Sequence, residues 1–319
     1  VKGNKQGNNN CLAPETRPKH KPIKMSGKWP ISNINRPQKD YSKSTSLTLM
    51  LIKVGYEIIF DLAAPTPMQL MLRVHPSRQS DVQREQIIIE PEVAVETFTD
   101  SFGNRCERIM APQGRLRLWS DAVVEDSGEP DALAIQAEQW PVEKLPAEAL
   151  QYLMSSRYCE VDKLSPIAWE LFGQTKPGWA RVQAICDWVH AKVRFGYPHA
   201  RWTKSAIDVY IERAGVCRDF THMAVTLCRC MNIPARYTTG YLGDIGVPPS
   251  NAPMDFSAWF EVFLGGQWHT FDARHNQRRI GRIVMARGRD AVDVALTTSY
   301  GSAPLEKFTV WTSEVKSVD

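Results

Sequence analysis

The sequence has no run of the ~18 apolar residues that a helix needs to cross a bilayer, so no membrane span is expected. It has no leading apolar segment either, so its start, Val1 rather than methionine, does not read as a secretory signal. Metal-like cysteine spacing is also missing. The seven cysteines are Cys11, Cys106, Cys159, Cys186, Cys217, Cys228 and Cys230. Cys228 and Cys230 lie two residues apart, too close for a Cys-x-x-Cys zinc pair and on different faces of a helix. No metal and no cofactor are expected. An odd count without regular spacing favours reduced thiols in a cytoplasmic setting. No internal repeat is present.

A basic globular surface is lacking too, although the net charge of +4 implies one. Residues 1 to 43 hold ten Lys/Arg against two Asp/Glu, which leaves 29 basic and 33 acidic residues for the rest. The globular part is mildly acidic, so no nucleic-acid partner is expected. The first 45 residues are rich in Lys, Asn, Pro and Ser without periodic apolar spacing and read as a disordered extension. Met25 is an internal start candidate, and a basic arm touching acidic surfaces is the functional alternative.

What is present is a chain of 319 residues with 43% hydrophobic content, enough for a sizeable core and two domains. Residues 46–128 read as a β-sandwich. Leu47 to Ile52, Tyr56 to Phe60, Gln69 to Val74 and Ile87 to Ile89 are β-type runs, and Asp100 to Asn104 is a turn signal. His75, before Pro76, reads as a loop residue. A linker is expected at 129–145 and a second domain at 146–313, with 314–319 as a tail. Its helices are predicted at Ala147 to Met154, Pro166 to Phe172, Trp179 to Phe195 and Ser205 to Arg213. Cys186 joins Val182, Ile185, Val189 and Val193 in a core stripe. Ala291 to Leu296 and Phe308 to Trp311 read as returning strands.

Gly215-Val216-Cys217-Arg218-Asp219-Phe220 runs from a turn into a helix whose apolar face is Phe220, Met223, Ala224, Leu227 and Met231. Cys217 falls in the first turn. There the open N–H groups and the positive end of the helix dipole favour a thiolate, so its pKa is expected below that of a free thiol. The alternative is a buried structural cysteine.

Three ordered features follow: Ile233-Pro234-Ala235-Arg236 opening a strand, Ala258-Trp259 within another, and Trp268 to Asp272 in a third. With the cysteine they resemble the transglutaminase-like superfamily of papain-type cysteine enzymes, in particular the bacterial cysteine-protease type with a β-rich N-terminal region. The resemblance covers roughly residues 47 to 313. It implies an α+β fold with the nucleophile helix packed on an antiparallel sheet, and a triad of cysteine, histidine and aspartate. Carried over, the cysteine is Cys217 and the aspartate Asp272. The histidine position is 257, which holds Ser257.

A two-residue Gly265-Gly266 loop pairs Leu264 with Gln267 and, counted back, Trp259 with Asp272. Ser257 and Asp272 then share a face and His269 takes the other. A serine cannot serve as general base. Three readings stay open: another histidine supplies the base, the site binds without turnover, or the helix N-terminus and Arg218 alone activate the thiol. His275, three residues past Asp272, heads the histidine candidates, its alternative being an exposed loop residue beside Arg274, Arg278 and Arg279. His222 lies about 140° round the helix from Cys217, and His190 and His199 flank an earlier helix end. Arg218, Asp219 and Trp259 are candidate site-lining residues, with Trp202 a further tryptophan for an acyl tunnel. Asp219 is also a candidate helix cap, and Arg218 a holder of a substrate carboxylate. Two functions follow: thiol-dependent acyl transfer or amide hydrolysis on a protein or peptide, or a silent peptide-binding module.

Overall fold

The computed structural model describes residues 49–250 and 253–318. The expected extension at 1–45 lies outside them. The chain begins with β1 (Met50–Leu62), β2 (Thr66–Leu70), β3 (Val82–Glu90), β4 (Val95–Thr99), β5 (Arg105–Ala111) and β6 (Gly114–Asp126). β1 is one strand of 13 residues where the sequence reads two. Gly55 joins the halves because neither neighbour leaves room for a side chain: a Cβ there would lie 2.3 Å from the Ser120 carbonyl oxygen and 2.4 Å from the Trp311 ring.

Helices and short strands alternate next: α1 (Ala147–Leu150), α2 (Val161–Phe172), α3 (Trp179–Lys192), β7 (Arg194–Phe195), α4 (Ala206–Glu212), β8 (Ala214–Gly215) and α5 (Cys217–Cys230). The chain closes with β9 (Ala235–Leu242), β10 (Ser257–Leu264), β11 (Gln267–Phe271), β12 (Arg282–Gly288), β13 (Thr297–Ser299) and β14 (Leu305–Val315). Ala291 to Leu296, expected as a strand, is a turn held by Asp290 and Asp293 side chains, which accept from the Val292 and Arg289 backbone N–H groups at 2.9 Å each.

Two four-stranded antiparallel sheets, ordered β14-β1-β6-β3 and β13-β2-β5-β4, face each other as a sandwich. A third, β11-β10-β9-β12, carries α5 on one face. The expected domain boundaries do not separate these parts. β14 pairs with β1 from Leu305 to Val315, so residues 314 and 315 belong to a strand rather than a tail. Tyr241, Ile283 and Met285 of the third sheet share one apolar core with Ile52, Leu70 and Leu118 of the sandwich. Residues 129–145 are not a free linker but a strap across the core. The Glu138 carbonyl accepts from Gly265 N–H at 2.8 Å, and Gln139 Nε2 donates to the Met231 carbonyl at 2.8 Å.

α5 is buried all round from Asp219 to Cys230, not along one stripe only. Its apolar side packs with Phe260, Val262 and Phe271 of the sheet. Its polar side is buried because each group has a partner. Arg229 donates to the carbonyls of Ala235, Met154 and Arg289. Among the described residues no helix is long and apolar enough to cross a membrane.

Candidate active site

Cys217 opens α5 at the mouth of a cleft. Asp219 turns back to accept from Val216 N–H at 2.9 Å, the reciprocal half of a capping box, which fixes the entry angle of the chain. The Asp219 carboxylate is fully buried and Arg218 pairs with it at 3.1 Å. Burial pushes its carboxyl above the usual range, against the pull of Val216 N–H and Arg218. Asp219 is therefore a cap and does not line the cleft, whereas Arg218 does.

Cys217 is half-buried, and its thiol is pushed up to about 11. Loss of water around the sulfur is the main cause and the Asp255 carboxylate adds to it. Arg274 and the N–H groups of Ala258 and Arg218 pull the other way. The lowered thiol expected from the helix N-terminus is thus corrected. A helix dipole is worth about 0.3–1 kcal/mol, less than the cost of placing a sulfur anion in an apolar wall without an imidazolium beside it.

β10 and β11 meet through Gly265 and Gly266, both at positive φ (57° and 87°), as a tight hairpin requires. Leu264 pairs with Gln267 and Phe260 with Phe271, the register counted from the sequence. Pairing stops there, and Asp272 begins a turn. Its Oδ1 accepts from the N–H groups of Arg274 and His275 at 3.0 Å each. Its Oδ2 accepts from His275 Nδ1 at 2.8 Å and from Arg282 Nη2 at 3.0 Å. Burial alone would raise this carboxyl. Arg282 and His275 outweigh it and hold Asp272 well below the usual carboxylate range. With Nδ1 donating to a carboxylate, the other ring nitrogen of His275 is the basic one.

A hollow of about 100 Å³ is lined by Cys217, Ser257, Asp255, Arg274 and His275 together. The structure thus brings the thiol, Ser257 and His275, the partner of Asp272, to one cleft. Ser257 Oγ is buried and has no hydrogen-bond partner among the described residues. No hydrogen bond joins Cys217 to His275 among those residues. A second, larger cavity of about 460 Å³ is also lined by Cys217, together with Trp202 but without His275.

Trp259 does not line either space. It projects from the face of β10 turned away from α5 and lies fully buried, with the Arg282 guanidinium 5.0 Å from its ring centroid. Among the described residues the other candidate histidines are engaged elsewhere, His199 with Arg194 at 3.4 Å. His222 stacks on Tyr158 and accepts from Ala291 N–H at 3.1 Å. His269 meets the Leu264 carbonyl at 3.2 Å, and His190 the Arg274 carbonyl at 2.8 Å. Asp255, Arg274 and Arg282 are the functional neighbours that sequence reading misses. Asp255 and Arg274 reach the cleft from a loop and a turn, Arg282 reaches Asp272 from a crossing strand, and no spacing marks them.

Comparison with known proteins bears on this arrangement. A family model described as the transglutaminase-like superfamily matches residues 167–273. A solved structure from Cytophaga hutchinsonii, described as a candidate cysteine protease, is 31% identical, with a TM-score of 0.74 over 85% of this chain and 92% of its own. This chain belongs to the transglutaminase-like superfamily. Among curated relatives, an uncharacterized protein of Mycobacterium leprae is 26% identical over 195 residues, 59% of this chain and 68% of its own. One from Mycobacterium tuberculosis is 24% identical over 217 residues, 62% and 69% respectively. The helix α5 on a four-stranded antiparallel sheet is the transglutaminase-like core of this chain, and the sandwich joins its β-rich N-terminal region to the C-terminal strands β13 and β14.

Proposed function

We propose that the protein is a thiol-dependent amide hydrolase acting on peptides or proteins, with Cys217 as nucleophile and His275, oriented by Asp272, as general base in place of the family histidine. The observation that carries this reading is the 2.8 Å bond from His275 Nδ1 to Asp272 Oδ2 at a cleft that Cys217 also lines. The imidazole takes the thiol proton on its free nitrogen as sulfur attacks the carbonyl carbon. The C–N bond then breaks, the proton passes to the leaving amine, and a thioester remains on Cys217. Water attacks the thioester, the S–C bond breaks, and a carboxylic acid leaves. The N–H groups of Ala258 and Arg218 face the sulfur, where charge develops. A neutral resting thiol suits general-base catalysis better than a standing ion pair. Hydrolysis is favoured over amine transfer by analogy with the Cytophaga hutchinsonii relative, named for protease chemistry. The six cysteines among the described residues are free thiols, which fits a reducing compartment.

The test is a peptide-amide substrate with intact-mass detection of the acyl-enzyme. Cys217→Ala is expected to abolish turnover and the mass adduct, and His275→Ala to lower turnover by roughly 10²–10⁴-fold. A second reading is a peptide-binding module without turnover, favoured by Ser257 and the raised thiol. It would be supported by peptides that bind the unmodified protein while no adduct forms and His275→Ala changes nothing.

A further inference from the structure

We infer that the cleft selects a peptide with a bulky apolar side chain on the acyl side of the cleaved bond and rejects an acidic one there, an inference that rests on the catalytic roles just given. The two spaces beside the thiol differ in character. The hollow on the His275 side is ringed by charge, with Asp244, Arg274 and Arg279. The 460 Å³ cavity, which Cys217 lines and His275 does not, has Ala258, Val294, Leu296 and Phe308 among its walls. Catalysis decides which part of the substrate goes where. The imidazole delivers its proton to the leaving amine, so the leaving segment lies on the His275 side. The acyl segment extends the other way, into the apolar cavity.

Size and charge point the same way. The cavity lies within the range of about 300–1,000 Å³ that small ligands fill, room for a large side chain together with flanking backbone. Val294 is 3% exposed and Trp202 is 76% exposed, so the space deepens from a wet mouth to a dry floor. The two arginines that line it are already neutralised. Arg201 pairs with Glu212 at 2.6 Å and Asp208 at 3.3 Å, and Arg218 with buried Asp219. Two further charges stand beside the thiol, the Asp255 carboxylate and the Arg274 guanidinium, and of these Asp255 lines the apolar cavity whereas Arg274 does not. An acidic acyl residue would meet that carboxylate and lose its hydration. An apolar residue gains by leaving water.

The experiment uses N-acetyl dipeptidyl vinyl sulfones with Leu-Leu, Phe-Phe, Gln-Gln, Lys-Lys or Asp-Asp before the reactive group. Addition to Cys217 is followed by intact mass. Each rate is divided by the iodoacetamide rate of the same protein, which removes differences in thiol reactivity. Leu-Leu and Phe-Phe are expected to react roughly 10–100-fold faster than Gln-Gln, with Asp-Asp slowest. Phe308→Asp, on the outer wall, should narrow the Leu-Leu advantage and raise the Lys-Lys rate, and Leu296→Asp provides the same test from the inner wall. Equal normalised rates across the panel would overturn the inference, as would labelling by iodoacetamide with no labelling by any peptide probe. Failure of the catalytic reading has its own signature, peptide amides left uncleaved and unaffected by His275→Ala while the probe ranking persists.

Discussion

Ser257 stands where the family resemblance calls for a histidine, and the family's aspartate position, Asp272, is already occupied. Asp272 Oδ2 is bound by His275 and Arg282, and Ser257 Oγ has no hydrogen-bond partner among the described residues. Removing the His275 ring frees one acceptor site on that oxygen. A double variant carrying His275→Ala and Ser257→His is therefore expected to recover at least ~10-fold of the peptide-amide turnover lost in His275→Ala alone. No recovery in a folded double variant would show that position 257 does not address Asp272. The thiol gives a separate prediction. Iodoacetamide labelling of Cys217 should rise with an inflection near pH 11 rather than near the ordinary 9, and Arg274→Gln should move it higher, because Arg274 pulls the value down. The folded-state value exceeds the unfolded one, so this group's contribution to stability is whole below about pH 9 and is lost as pH rises through about 11. An inflection below 7 would refute the buried, neutral resting thiol. At this scale the positions of Cys217 and Asp272 were legible because the cysteine sits at a helix start and the aspartate follows a counted hairpin register. Asp255, Arg282 and the Ala258 N–H were not, since their proximity to the thiol or to Asp272 is created only by strand crossing.

The helix α5 shows what periodicity reports and what it leaves out. Spacing of Phe220, Met223, Ala224 and Leu227 reveals one apolar face, and that face does meet the sheet. The other face carries Thr221, His222, Thr226 and Arg229, which a hydropathy pattern assigns to solvent although all four are buried. Backbone groups meet most of their polar atoms, as when Thr226 Oγ1 donates to the His222 carbonyl at 2.7 Å, while His222 Nδ1 has no partner among the described residues. The start of the same helix depends on Asp219, the one acceptor that Val216 N–H finds. Asp219→Ala leaves that N–H and the Arg218 guanidinium without their buried partner. A loss of about 1–3 kcal/mol is expected from urea unfolding, together with slower Cys217 acylation as the first turn loosens. Asp219→Asn, which keeps an acceptor for Val216, should recover part of the stability. Equal stability of all three proteins would remove the capping role.

The whole molecule departs most from its linear reading, and the cause lies in chain return. Strand runs, a proline-rich connection and a helical set read as two domains in series, because local pattern carries no information about which distant strands pair. The last strand instead pairs with the first along the full stretch Leu51–Phe60, and Val310 enters the core shared by the sandwich and the Tyr241 and Ile283 side of the third sheet. Phe308 on the same strand lines the cavity beside Cys217, so the strand that completes the sandwich also walls the site. A core common to both parts cannot melt in halves without exposing apolar surface on each, at a cost of roughly 25 cal/mol per Å². Calorimetry is therefore expected to give one transition whose van't Hoff and calorimetric enthalpies agree. Deletion of residues 305–319 should leave the edge of β1 unpaired and yield no cooperatively melting protein. Two resolved transitions, or a truncated chain that still melts cooperatively and is acylated at Cys217, would show that the catalytic core stands without the sandwich. The pairing of β14 with β1 would then be a docking contact rather than the closure on which the cleft depends.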